Sequence, residues 1–236
     1  MTGQEYIDTL PEQPNEQHNQ MTLEAISSGV LLVEWSPISS TWKDHVATFQ
    51  VSTDAAFCLL DSGERFRPQF SAKMAQEAAE LVGGMMPTTK ILDLRHLASN
   101  QLNAILLTAG PDMSSTTYSK NYNQKLEAKR ANYEGIVSDA GKPWINDNQL
   151  ANSNGACLYG FFDKSAPFTN SIGLKLWQQV GTKHNNQHQD YSSTLILMSI
   201  VCEVDGDSMM VEDIARDPEL SNLLNYGGKL NFTKGK

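Results

Sequence analysis

Residues 181–204 read GTKHNNQHQDYSSTLILMSIVCEV, and no other stretch limits the possible folds as much. Residues 195–201 are the most apolar run in the chain. A short run of this kind, bounded by turn residues, reads as a buried strand. Directly before it the chain packs His184, His188, Asp190 and Tyr191 into residues 184–191. A strand that must be buried is therefore entered through proton-active side chains, an arrangement from which many active sites are built.

A buried strand needs partners. Residues 45–52 (HVATFQVS) alternate as a half-buried strand does. Residues 29–35 (GVLLVEW) have the aliphatic density of a buried strand that Pro37 and Ser39-Ser40 would break. Residues 55–60, 156–162 and 174–180 read as further strands, and 135–145 as a hairpin. Asp205-Gly206 is a hairpin-type turn. Helices are signalled by caps. Ser71 precedes AKMAQEAAELVG, with Met74, Ala78, Leu81 and Val82 on one face. Thr88 or Thr89 precedes a stripe of Ile91, Leu92, Leu94 and Leu97, which leaves His96 at a structural boundary. Ser114 or Ser115 caps a polar helix near 118–133, two short helices fall at 211–215 and 218–225, and 229–232 suggests a last edge strand. Residues 1–21, rich in Gln, Asn, Glu and Pro, read as a flexible polar arm. The expected architecture is α+β: one domain over 22–236, a mainly antiparallel sheet, a packed helical hairpin and a flexible N-terminal arm.

The chain has 236 residues and is 40% hydrophobic, ample for one core. With 18 Lys and Arg against 27 Asp and Glu, the net charge is −9. Phosphate-tracking and anionic-membrane surfaces need excess cations, so neither nucleic acid nor a membrane is an expected partner. No apolar run approaches the ~20 residues that span a bilayer. The N-terminus has neither the basic nor the apolar segment of a signal peptide. Cytoplasmic synthesis is expected, with virion association or signal-independent release as routes outward. Cys58, Cys157 and Cys202 lie among apolar residues and are expected to be reduced core thiols.

On an extended backbone His188 and Asp190, two apart, point the same way. They suit a His general base oriented by Asp, or with His184 a divalent ion such as Zn. Tyr191 would then donate to developing oxyanion charge. Tyr191 beside His188, with an amide such as Asn148 or Asn154, also suits β-elimination of a uronic-acid polysaccharide. Cys157 with either histidine makes a further nucleophile–base pair.

His184, then Asp190-Tyr191 and the apolar strand, resemble the zinc D-Ala-D-Ala peptidases and related phage endopeptidases. There a His and an Asp about seven positions on bind zinc ahead of such a strand. Here the spacing is one residue shorter, and no histidine follows His188 to supply the third ligand. Over most of its length the chain resembles uncharacterised bacterial and phage-encoded proteins. They share a helical hairpin around Met86-Pro87-Thr88-Thr89-Lys90, a Tyr159-Gly160 strand and a late His188-Gln189-Asp190-Tyr191-Ser192 segment. Two functions are expected from these features. The first is a hydrolase of cell-wall or polysaccharide-type polymers using His184, His188, Asp190 and Tyr191. The second is a non-catalytic structural or adaptor protein that docks a protein partner through residues 1–21.

Overall fold

The computed structural model describes residues 1–130, 133–138, 140–152 and 155–230. It is α+β with mainly antiparallel sheets. The chain opens with helices α1 (Gly3–Thr9) and α2 (Glu16–Ser27), where the composition suggests a flexible arm. Both begin at side-chain caps. Thr2 and Glu5 form a reciprocal capping box, and the Asn15 side chain accepts from His18 N at 2.8 Å. Tyr6, Ile7, Ala25 and Ile26 enter the core, and the Tyr6 hydroxyl bonds Thr22 at 2.8 Å. The arm is polar on average, but its apolar residues Tyr6, Ile7 and Leu10 are buried.

Residues 29–35 are the second departure. Gly29 takes a positive φ of 74°, and the N–H groups of Val30 and Leu31 both bond the Ala25 carbonyl. Residues 29–31 are the capped exit of α2 and spend their backbone donors on the helix end, and Leu32 makes a single antiparallel bridge to Phe57. The strand lies one step later: β1 (Trp35–Trp42) pairs in full register with β2 (His45–Ser52). Pro37 does not break it, because β1 is an edge strand. β3 (Cys58–Leu59) and β4 (Arg65–Phe66) form a short ribbon. Ser71 caps α3 (Ala72–Leu81), β5 (Gly84–Met85) follows, and Thr88 caps α4 (Thr89–Leu97). Leu81 and Leu97, expected inward, are exposed in the last turns, while His96 is buried and stacked on Phe162 with ring centroids 4.3 Å apart.

α5 (Thr116–Arg130) starts where Thr116 bonds the Pro11 and Glu12 carbonyls, which fastens the α1–α2 link. β6 (Lys142–Pro143) later pairs in parallel with β10 (Ser193–Thr194). β7 (Leu158–Phe162), β8 (Phe168–Thr169) and β9 (Lys175–Gly181) make a sheet in the order β7-β9-β8. The largest sheet runs β1-β2-β11-β12, with β11 (Met198–Val204) also carrying β5. β12 (Asp207–Met210) turns back at Asp205-Gly206, both at positive φ, as the turn residues predict. Helices α6 (Val211–Arg216) and α7 (Ser221–Leu224) close the fold. The suggested strand at 229–232 lies partly outside the described residues, and no described helix is long and apolar enough to cross a membrane.

The apolar run at 195–198 is buried on every side because it threads between three hydrophobic clusters. Leu195 and Leu197 join the cluster of α1, α2 and α3. Ile196 joins that of α5 and β7, and Met198 that of β1, β2, β11 and α6. The run is therefore only partly strand, and its backbone is still paired: Ala56 N donates to Leu195 O and Ser52 N to Leu197 O, each at 2.9 Å. The three cysteines are free and buried.

Candidate functional site

Lys142 on β6 and the loop from β9 to β10 build the first constellation. Asp190 is 3% exposed. Its Oδ1 accepts from Ser192 N at 2.8 Å and Ser192 Oγ at 2.6 Å, and its Oδ2 from Lys142 Nζ at 2.8 Å. His188 Nε2 reaches the same Oδ2 at 3.3 Å. Burial pushes the Asp190 carboxyl up, but the hydrogen bonds from His188, Lys142 and Ser192 and the Lys142 charge hold it well below the usual range. His184 stacks on His188 with centroids 3.7 Å apart and planes 11° off parallel. Burial, then the neighbouring His188 and Lys142, lower the His184 pKa.

His188 thus meets Asp190, as their two-residue spacing suggests, His184 joins through its stack on His188, and Tyr191 does not join them. The residue after Asp190 points the other way. Its ring packs against Tyr118 and Tyr122 at 5.5 and 5.0 Å, and its hydroxyl accepts from Leu107 N at 3.1 Å. Asn148 donates to the Lys229 carbonyl, and Asn154 lies outside the described residues. Burial pushes the Cys157 thiol up to about 12, which leaves it protonated at neutral pH.

The donor set at Asp190 does not fit a divalent ion as it stands. Both carboxylate oxygens are engaged, and the Lys142 ammonium sits where a second cation would have to approach. Among the described residues no three His, Cys, Asp or Glu side chains converge as metal ligands. Because Lys142 and Ser192 hold Asp190 without help, His188→Ala is expected to cost under about 1 kcal/mol of stability. Urea unfolding measures this, and a loss above about 2 kcal/mol would make the pair a structural tie.

A second constellation lies on α4 and β7. Asp93 is 1% exposed. The Tyr159 hydroxyl donates to Asp93 Oδ1 at 2.8 Å, and Asn170 Nδ2 donates to that hydroxyl at 3.0 Å. The Tyr226 hydroxyl is also hydrogen-bonded to Asp93. Burial raises the carboxyl to about 6 against the pull of these bonds, and burial followed by the Asp93 charge raises Tyr159. The group forms the floor of a cleft of about 390 Å³, bordered by Thr89, Gln149, Gln179 and the half-exposed Tyr226.

The backbone beside it is strained. β7 carries a register shift between Leu158 and Gly160, and Phe161 sits at φ 58°, which costs a non-glycine residue about 1–3 kcal/mol. The irregular pairing of β7 with β9 falls at Tyr159. In the sequence Tyr159 stands out only as part of the Tyr159-Gly160 strand, and nothing there joins it to Asp93, Asn170 or Tyr226. The four come from α4, β7, a turn and the C-terminal segment, so no local pattern unites them. The available signal was a carboxylate at mid-helix among core positions.

Buried ionisable groups make the fold sensitive to acid. Burial lowers both His18 and His96 to about 4, with the Arg95 charge adding to the effect at His96. A depressed histidine contributes stability that is full above the unfolded value near 6.5 and is lost as pH falls toward 4. From pH 7 to 5 each costs about 2 kcal/mol, while the raised Asp93 returns about 1 kcal/mol because its protonated form is favoured in the fold. The expected result is a net loss of about 2–3 kcal/mol at pH 5, read from urea midpoints. Equal midpoints at the two pH values would refute it.

Comparison with family models, with curated proteins and with solved structures finds no match to this chain.

Proposed function

We propose that the chain is a hydrolase of polysaccharide-type polymers that works in the Asp93 cleft, with Asp93 as general acid. The observation that carries this is a buried carboxyl, held at its floor by Tyr159 and near neutral titration, in a cleft bordered by amides and hydroxyls. Protonated Asp93 gives its proton to the bridging oxygen as the glycosidic bond breaks, and water adds to the anomeric carbon. The adding water returns a proton to the carboxylate, which closes the cycle. Tyr159, itself fixed by Asn170, keeps the carboxyl in one orientation.

The test is Asp93→Asn. The amide fills the same space, so the melting temperature should hold, while cleavage of a polysaccharide panel should fall by about 10²-fold or more. Wild-type activity should decline as pH rises through about 6. Undiminished activity in the variant would place the chemistry elsewhere. The second reading, a hydrolase at His188, rests on the 3.3 Å contact with Asp190. It predicts that His188→Ala and not Asp93→Asn removes activity. An adaptor that docks through residues 1–21 is disfavoured, because the apolar side chains of α1 and α2 already lie in the core.

A further inference from the structure

We infer that the Asp93 cleft selects a neutral sugar unit and excludes uronic acids. This rests on the hydrolase assignment for its polymer class but adds a specificity of its own. No Lys, Arg or His is among the described residues lining the cleft, and its one carboxyl, neutral when protonated and negative when ionised, offers a uronate no counter-charge in either state. A ligand carboxylate would lose its water without gaining a counter-charge, and an unpaired buried charge is strongly unfavourable. The chain's net charge of −9 adds long-range repulsion to a polyanion.

What the cleft does offer is amide and hydroxyl. Gln149, Gln179 and Thr89 border it, and their side chains hold no hydrogen-bond partner among the described residues. A primary amide donates and accepts, as does each hydroxyl or acetamido group of a neutral sugar. Val180 and the Tyr226 ring supply an apolar flank for the C–H face of a pyranose.

Calorimetric titration of the full chain with two probes tests this, the tetramer of N-acetylglucosamine and tetragalacturonate. The neutral tetramer should bind, and Gln149→Ala and Gln179→Ala should each weaken it by about five- to tenfold. Tetragalacturonate should bind at least ~100-fold more weakly. Gln179→Lys, a change on the exposed face of β9, should recover at least ~10-fold of that deficit by supplying the missing cation. Uronate binding equal to the neutral tetramer, neutral binding indifferent to both glutamines, or binding of neither probe would overturn the inference. Neutral binding without cleavage would remove the hydrolase assignment and leave the specificity standing. Asp93-dependent cleavage of a uronate polymer would do the reverse.

Discussion

A chain lacking residues 1–27 is expected not to fold. Helices α1 and α2 supply Tyr6, Ile7, Leu10, Ala25 and Ile26 to a cluster shared with Phe66, Phe70 and Trp144. Deleting large buried side chains costs about 2–5 kcal/mol each, so removing the segment forfeits on the order of 10 kcal/mol. That is comparable with the entire stability of an ordinary domain. The deletion also strips the Pro11 and Glu12 carbonyls from the start of α5. Circular dichroism and urea titration of the truncated chain would show no cooperative transition. A cooperative transition within about 2 kcal/mol of the full chain would show that the segment is dispensable. It would also revive the adaptor model, in which residues 1–21 are free to dock.

The second large effect is expected at Asp54, which is 2% exposed. Arg67 grips it with two bonds, Nε to Oδ1 at 2.8 Å and Nη2 to Oδ2 at 2.6 Å. Arg130 approaches Oδ2 at 3.0 Å and Arg65 at 3.5 Å. Burial raises the Asp54 carboxyl, but the Arg67 charge and hydrogen bonds, then Arg130 and Arg65, hold it below the usual range. In Asp54→Ala the one carboxylate left within ion-pair reach of Arg67 among the described residues is Glu127, at 2.8 Å. Breaking a buried pair from one side costs about 3–5 kcal/mol, mostly as the penalty on the abandoned cation. Urea unfolding reads it directly, and a loss below about 1 kcal/mol would mean that Glu127 suffices alone.

Where local chemistry decides local structure, the sequence is readable. The alternation of 45–52 gives β2, Ser71 and Thr88 cap the helices they precede, and Asp205-Gly206 turns β11 into β12. Average polarity misleads at the N-terminus, although the Thr2–Glu5 capping box is a legible local signal there. Aliphatic density misleads at 29–35, where Gly29 sends the chain into a helix cap. The candidate site divides in the same way. The His188–Asp190 contact is local and follows from a two-residue spacing, whereas the side of the chain taken by Tyr191 depends on where α5 packs. Asp93, Tyr159, Asn170 and Tyr226 become neighbours only through tertiary structure, and burial, which gives Asp93 its acidity near neutrality, is a property of the assembled fold.

The layout of the largest sheet also bears on how the protein behaves when concentrated. A sheet that ends in open strands can recruit the same strand from another molecule and grow. Here one border strand, β1, contains Pro37, which has no N–H to offer an incoming chain, and the other, β12, is four residues long. The proline that looked like a strand breaker thus acts as a stop to lateral growth, and Pro37→Thr, which restores the donor, would open that border to strand addition.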